Sequence, residues 1–177
     1  MAVRLVVADQ CSDAAHIREV FWEYLEWANS RLIDDFGVNL DIAALQETDM
    51  RDLGKFMLPR GRLLLCYFED RLAGVACLKQ LTPTLGELKR MYVRPEYRRL
   101  GLGRMLLHRL IEEARQIGYQ GLQLDSARFM HEAHQLYRSV GFREIEAYEG
   151  SEIPKQFREH WVFMRLELSE KAESASG

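Results

Sequence analysis

Cysteine is scarce in this chain: Cys11, Cys66 and Cys77 are the three present, an odd number with no C-x-x-C spacing among them. That excludes a disulfide framework and a zinc ribbon, and leaves the thiols to act as small core side chains. Long uncharged hydrophobic runs are missing too. Residues 1–20 hold no apolar stretch of signal-peptide length, and no segment approaches the roughly 20 residues of a membrane span. A cytoplasmic protein without membrane contact is expected. No block of like charge, no excess of glycine or proline and no internal repeat interrupts the chain, which excludes disordered, fibrous and repeat architectures. Nor does positive charge dominate. The chain has 24 Lys and Arg against 27 Asp and Glu, a net charge of −3, whereas a phosphate backbone selects a clearly basic face, so nucleic acid is not an expected partner.

What is present suits one globular domain. The chain has 177 residues, 47% of them hydrophobic and 29% charged, enough for one well-buried core and short for two. The domain is expected over residues 1–168, with a frayed tail at 169–177. The β-branched stretch at 3–8 reads as a strand, and Ser12 stands where it can cap the helix that follows. Ile17, Val20, Phe21, Tyr24, Ala28 and Leu32 recur at helical spacing. A weaker helical stretch covers residues 41–53. The period then changes: residues 63–68, a charged turn at 69–71 and residues 72–81 read as an antiparallel hairpin. After a turn at 82–86, residues 87–93 form a third strand that Pro95 stops. A helix from about Gly103 carries Leu106, Leu107, Leu110, Ile111, Ala114 and Ile117 on one stripe and ends at Gly118. A strand at 121–126, a helix ending at Gly141, and two closing strands at 142–148 and 160–168 complete the order β-α-α-β-β-β-α-β-α-β-β. The fold class is mixed α/β, with helices on both faces of one mixed sheet.

One stretch asks for a ligand. YRRLGLGR, residues 97–104, gathers Arg98, Arg99 and Arg104 around Gly101 and Gly103 at the start of a helix. Arginines there oppose the helix dipole unless an anion compensates them. Free N–H groups at a helix N-terminus, glycines that let the backbone come close, and surrounding guanidinium groups together make a diphosphate cradle. A P-loop is excluded because no Gly-Lys-Ser/Thr closes the turn, and the dinucleotide fingerprint fails because Leu106 stands at the third glycine position. His131 and His134 stand three apart on a helix but have no identifiable third ligand, so no metal site is expected.

The stretch RRLGLGR, preceded by MYV and followed by LYRSVGF at 136–142, resembles the GCN5-related N-acetyltransferase (GNAT) superfamily. The resemblance implies acetyl-CoA as cosubstrate, no metal, and an acetyl group moved to a primary amine of a small molecule or peptide by direct attack in a ternary complex. It implies that Arg98, Arg99, Leu100, Gly101, Leu102, Gly103 and Arg104 hold the pyrophosphate, and that backbone groups near Met91 and Val93 hold the pantetheine arm. Tyr137 is then the acid for the departing thiolate, and Glu87 is the general base. Met130 stands where the family often has asparagine. Trp22, Trp27, Asp34 and Asp35 are candidate acceptor contacts, and a homodimer is compatible with the family. The alternative readings are a non-catalytic acyl-CoA sensor or regulatory module, and O-acetyl or longer-acyl transfer.

Overall fold

The structure, a computed structural model, describes residues 2–168, and the expected tail at 169–177 lies outside the described residues. The chain runs β1 (Val3–Val7), α1 (Ala14–Phe36), α2 (Ile42–Arg51), β2 (Arg62–Phe68), β3 (Arg71–Gln80) and β4 (Leu85–Val93). It continues with α3 (Leu102–Ile117), β5 (Gly121–Ala127), α4 (His131–Ser139), β6 (Arg143–Ile145) and β7 (Trp161–Glu167). The expected order of elements is therefore present. All strands join one seven-stranded sheet in the order β1-β2-β3-β4-β5-β7-β6. Every neighbouring pair is antiparallel except β4 and β5, which run parallel.

The sheet is covered on both faces, which is why β2 reads as an unbroken apolar run rather than an alternating one. Leu64 and Cys66 face the layer made by α3, where Leu106, Leu107 and Leu110 are buried. Leu63 and Leu65 face the opposite layer, where Ile17, Val20 and Phe21 of α1 cover the sheet.

Three local expectations are corrected. Ser12 does not cap α1: its N–H and hydroxyl donate to Asp9 Oδ1, and the N-cap is Asp13, which makes no side-chain cap bond. β4 begins at Leu85, inside the expected turn, because Leu85 already pairs with Gly121 of β5. The first closing strand shrinks to Arg143–Ile145, at the sheet edge, where β7 alone pairs with it.

Two features of β4 shape the site. Its parallel ladder with β5 lasts only from Leu85 to Glu87, opposite Gly121 to Gln123. Beyond those pairs the strands part, leaving a wedge between the C-terminal halves of β4 and β5. On the other side, the register with β3 jumps from Cys77↔Lys89 to Val75↔Tyr92, so Arg90 and Met91 together oppose Ala76 alone. This is a β-bulge, and Arg90 takes a positive φ of 51° within it. In a regular strand, neighbours point to opposite faces. The bulge lets Lys89 and Arg90, consecutive in sequence, reach the same charged cluster beneath α2.

Candidate active site

The turn after β4 leads directly into α3, whose N-cap is Gly101 with φ of 79° and no side-chain cap bond. The first helical bond is donated by Met105 N–H to Gly101 O at 3.1 Å. The preceding N–H groups thus have no partner within the helix. The two glycines serve different needs. A Cβ at Gly101 would meet no atom within 4 Å, but its backbone is left-handed, which costs an L residue about 1–2 kcal/mol. Gly103 is in ordinary helical backbone, where a Cβ would sit 3.6 Å from Leu136 Cδ2 and 3.7 Å from Met91 Cε. It keeps the floor of the turn open.

An outer cleft of about 680 Å³ opens here, lined by Arg98, Arg99, Gly101, Leu102, Gly103 and Arg104 of the turn, by Met91 and Val93 of β4, and by α4. Arg98 is held rather than loose. Its Nε donates to Val93 O at 3.0 Å, and its guanidinium lies 4.9 Å from the Trp27 ring centroid and 5.8 Å from that of Tyr92. A smaller inner cavity of about 310 Å³ lies on the other side of the wedge, between α1, α2 and the loop at 149–154. Met91, Met130 and Tyr137 line both spaces. Tyr137, on α4, packs its ring on Phe142 and donates its hydroxyl to Met91 Sδ at 3.8 Å. Burial, with smaller contributions from the negative charge of Asp125 and from Tyr24, pushes its pKa above the ordinary 10, so the hydroxyl keeps its proton.

The inner cavity has a charged floor. Lys89 Nζ lies 3.1 Å from Asp125 and 3.0 Å from Glu152. Arg90 bonds Asp49 of α2 at 2.7 Å and Glu152 at 2.6 Å. Burial opposes charge on Glu152, but Lys89 and Arg90 outweigh it and hold the carboxyl well below the ordinary carboxylate range. Burial likewise opposes charge on Lys89, and Asp125, Glu152 and Glu87 overcome it, keeping the amine protonated.

The chain matches the acetyltransferase (GNAT) family over residues 15–142. An uncharacterised N-acetyltransferase of Schizosaccharomyces pombe is 33% identical over 139 residues, 77% of this chain and 82% of that protein. This chain belongs to the GNAT family. A ribosomal protein bS18-alanine N-acetyltransferase of Salmonella typhimurium is 34% identical over 101 residues, 57% of this chain and 68% of that one. The fold is shared with the PaiA N-acetyltransferase of Thermoplasma acidophilum, solved in complex with coenzyme A. The TM-score is 0.71 at 17% identity, covering 95% of this chain and all of the other.

Within this GNAT fold, most of the expected residues converge. The arginines and glycines of the turn, Met91, Val93 and Tyr137 line one cleft. Two expectations are corrected. Leu100 is 44% exposed and does not line the cleft, because the left-handed Arg99 turns the chain outward there. The Val93 carbonyl already accepts one bond, from Arg98 Nε. Glu87 stands in the paired part of β4, before the strands separate, and lines neither space. It is 1% exposed, accepts the Tyr148 hydroxyl at 2.7 Å and lies 3.5 Å from Lys79 Nζ. Among the weaker candidates, Trp27 lines the outer cleft, while Trp22 faces a shallow depression on the far side of α1. Asp34 and Asp35 line neither space, and Asp35 pairs with Arg31. His131 and His134 do not act together: His134 Nε2 lies 2.9 Å from Ser126 Oγ, while His131 borders the outer cleft.

The sequence reading missed the cluster of Asp49, Lys89, Arg90, Asp125 and Glu152. One signal was available: two adjacent cations inside a strand that is otherwise buried on both faces. A charged pair there demands buried counter-ions.

Proposed function

We propose that this protein transfers an acetyl group from acetyl-CoA to a primary amine by direct attack within a ternary complex. The supporting observation is that Tyr137 stands where the outer cleft meets the inner cavity, with the anion-binding turn on one side and a separate pocket on the other. The coenzyme's pyrophosphate rests on the N–H groups at the start of α3, with Arg99 and Arg104 around it. Its pantetheine arm runs into the wedge, where the parted edge of β4 has no ladder partner, and its thioester ends beside Tyr137 and Met91. The acceptor enters from the inner cavity.

The chemistry then needs two proton movements. An alkylamine with a pKa near 10.4 is only about one part in a thousand neutral at pH 7, a handicap of roughly 4–5 kcal/mol. Glu87 lies away from both spaces, and Glu152 is too well stabilised as an anion to be a good base. In this reading the amine enters neutral: the apolar walls penalise its ammonium form and leave the proton to solvent. The nitrogen lone pair attacks the thioester carbon, the C–S bond breaks, and the Tyr137 hydroxyl hydrogen-bonds the departing sulfur, which takes a proton as the amine nitrogen sheds one.

Thiol release measured with acetyl-CoA and a panel of primary amines over a range of pH tests this. Turnover with kcat/KM rising with pH toward the amine's own pKa is expected. Coenzyme binding without thiol release from any amine would favour the sensor reading and overturn the proposal.

A further inference from the structure

The inner cavity tells what kind of amine it takes, if it is the acceptor site proposed above. The charged side chains on and beneath its floor already satisfy one another. Lys55, Lys89 and Arg90 stand against Asp49, Asp125 and Glu152, three cations and three carboxylates joined by contacts of 2.6–3.1 Å. Asp41, exposed at the rim, accepts Ala44 N–H at 3.0 Å as the cap of α2 and pairs with no cation among the described residues. Asn29 donates to Asn39 Oδ1 at 2.9 Å and accepts Leu40 N–H at 2.8 Å, so its amide is spent on the chain itself. The remaining walls are uncharged and largely apolar, with Leu25, Leu32, Leu45, Ile153 and Trp161 beside the hydroxyls of Tyr24, Thr48 and Ser126.

Such a space has little to offer an anion. A carboxylate on the acceptor would have no free cation among the described residues. Removing an unpaired ion from water is costly, and recruiting a partner from the cluster would leave another buried ion unpaired. An α-carboxylate is the sharpest case, because it sits two bonds from the reacting nitrogen and has to enter the cavity with it. We infer that the acceptor is a primary amine without a carboxylate, on a largely apolar body, an alkylamine or arylalkylamine in class, and that amino acids are discriminated against.

The test is a matched pair. 2-Phenylethylamine and phenylalanine share the same body and differ by the α-carboxylate. With acetyl-CoA saturating, kcat/KM for 2-phenylethylamine should exceed that for phenylalanine by at least about a hundredfold. Leu45→Arg, on the partly exposed face of α2 that lines the cavity, supplies a free cation and should narrow that ratio by about tenfold or more. Phenylalanine turning over as well as 2-phenylethylamine would overturn the inference while leaving the transferase reading intact. So would a ratio unmoved by Leu45→Arg. Should no amine release thiol, the transferase reading fails, and calorimetric titration of the coenzyme A-bound protein still decides the cavity. Heat with 2-phenylethylamine but not with phenylalanine supports its selectivity, and equal binding, or none of either, refutes it.

Discussion

Replacing Tyr137 with phenylalanine separates catalysis from architecture more cleanly than any other change in this site. The hydroxyl is donated to Met91 Sδ at 3.8 Å, a weak acceptor, so its loss should cost stability less than about 1 kcal/mol. The ring remains, and so does its contact with Phe142, whose centroid lies 5.7 Å away. The effect on rate is larger but bounded. Burial lifts the Tyr137 pKa above 10, while a free thiol has a pKa of about 8.5, so complete proton transfer to the thiolate is uphill. The hydroxyl therefore acts chiefly as a hydrogen-bond donor to the leaving sulfur. That sets the expected loss in kcat near the lower end of acid catalysis, about 10²-fold or about 2.7 kcal/mol. Thiol release at saturating acetyl-CoA and amine reads kcat, and calorimetric titration with coenzyme A reads affinity. The reasoning fails if kcat stays within about threefold of the parent, or if it falls only in step with coenzyme affinity.

Four further outcomes follow from named contacts. Gly103→Ala adds a Cβ with ordinary contacts to Leu136 and Met91 and improves helix propensity by about 1 kcal/mol, so the melting temperature should hold or rise while the coenzyme dissociation constant, read by calorimetry, increases by about tenfold or more because the methyl narrows the turn. Glu87→Gln keeps the acceptor oxygen that Tyr148 uses, and because Glu87 lines neither space its kcat should stay within about threefold of the parent; a hundredfold loss would restore it as the base. Arg90→Met strips one ion-pair partner from both Asp49 and Glu152, leaving them Lys55 at 2.9 Å and Lys89 at 3.0 Å, and urea titration should show a loss of about 3 kcal/mol. His134 is buried against Ser126; burial first, then the charges of Arg138 and His131, lower its pKa from 6.5 to about 4. Between those pH values the unfolded chain binds a proton that the folded one refuses. Stability is thus intact above pH 6.5 and lost as pH falls toward 4, by up to about 3 kcal/mol, and urea titrations of His134→Gln across the same range should lack that component of the slope.

Local chemistry wrote the element order and the turn into the chain. The apolar stripe of α3, the run LLLC in β2 and the arginine-glycine turn each act over a few residues, so periodicity and residue type were sufficient to place them. The same holds for Tyr137, whose spacing before Gly141 fixed it on the helix that borders the cleft. Ser12 failed as a cap because the helix starts one residue later, with Asp13 at the N-cap position, and Ser12 instead joins the turn held by Asp9. Glu87 lies outside both spaces because its position depends on where β4 and β5 stop pairing, and no local signal marks that point.

What belongs to tertiary structure alone is the wedge, the closed charge cluster and the inner cavity. β7 enters between β5 and β6, and the bulge brings Arg90 to carboxylates 41 and 62 residues away in the chain while its neighbour Lys89 meets one 36 residues away. Such contacts are set by how strands are ordered and where their ladders end, which are properties of the whole sheet. The amino-acid order by itself determined that arginines and glycines would gather at the start of α3; the assembled sheet decided what space lies beyond them and how the charges on its floor are paired.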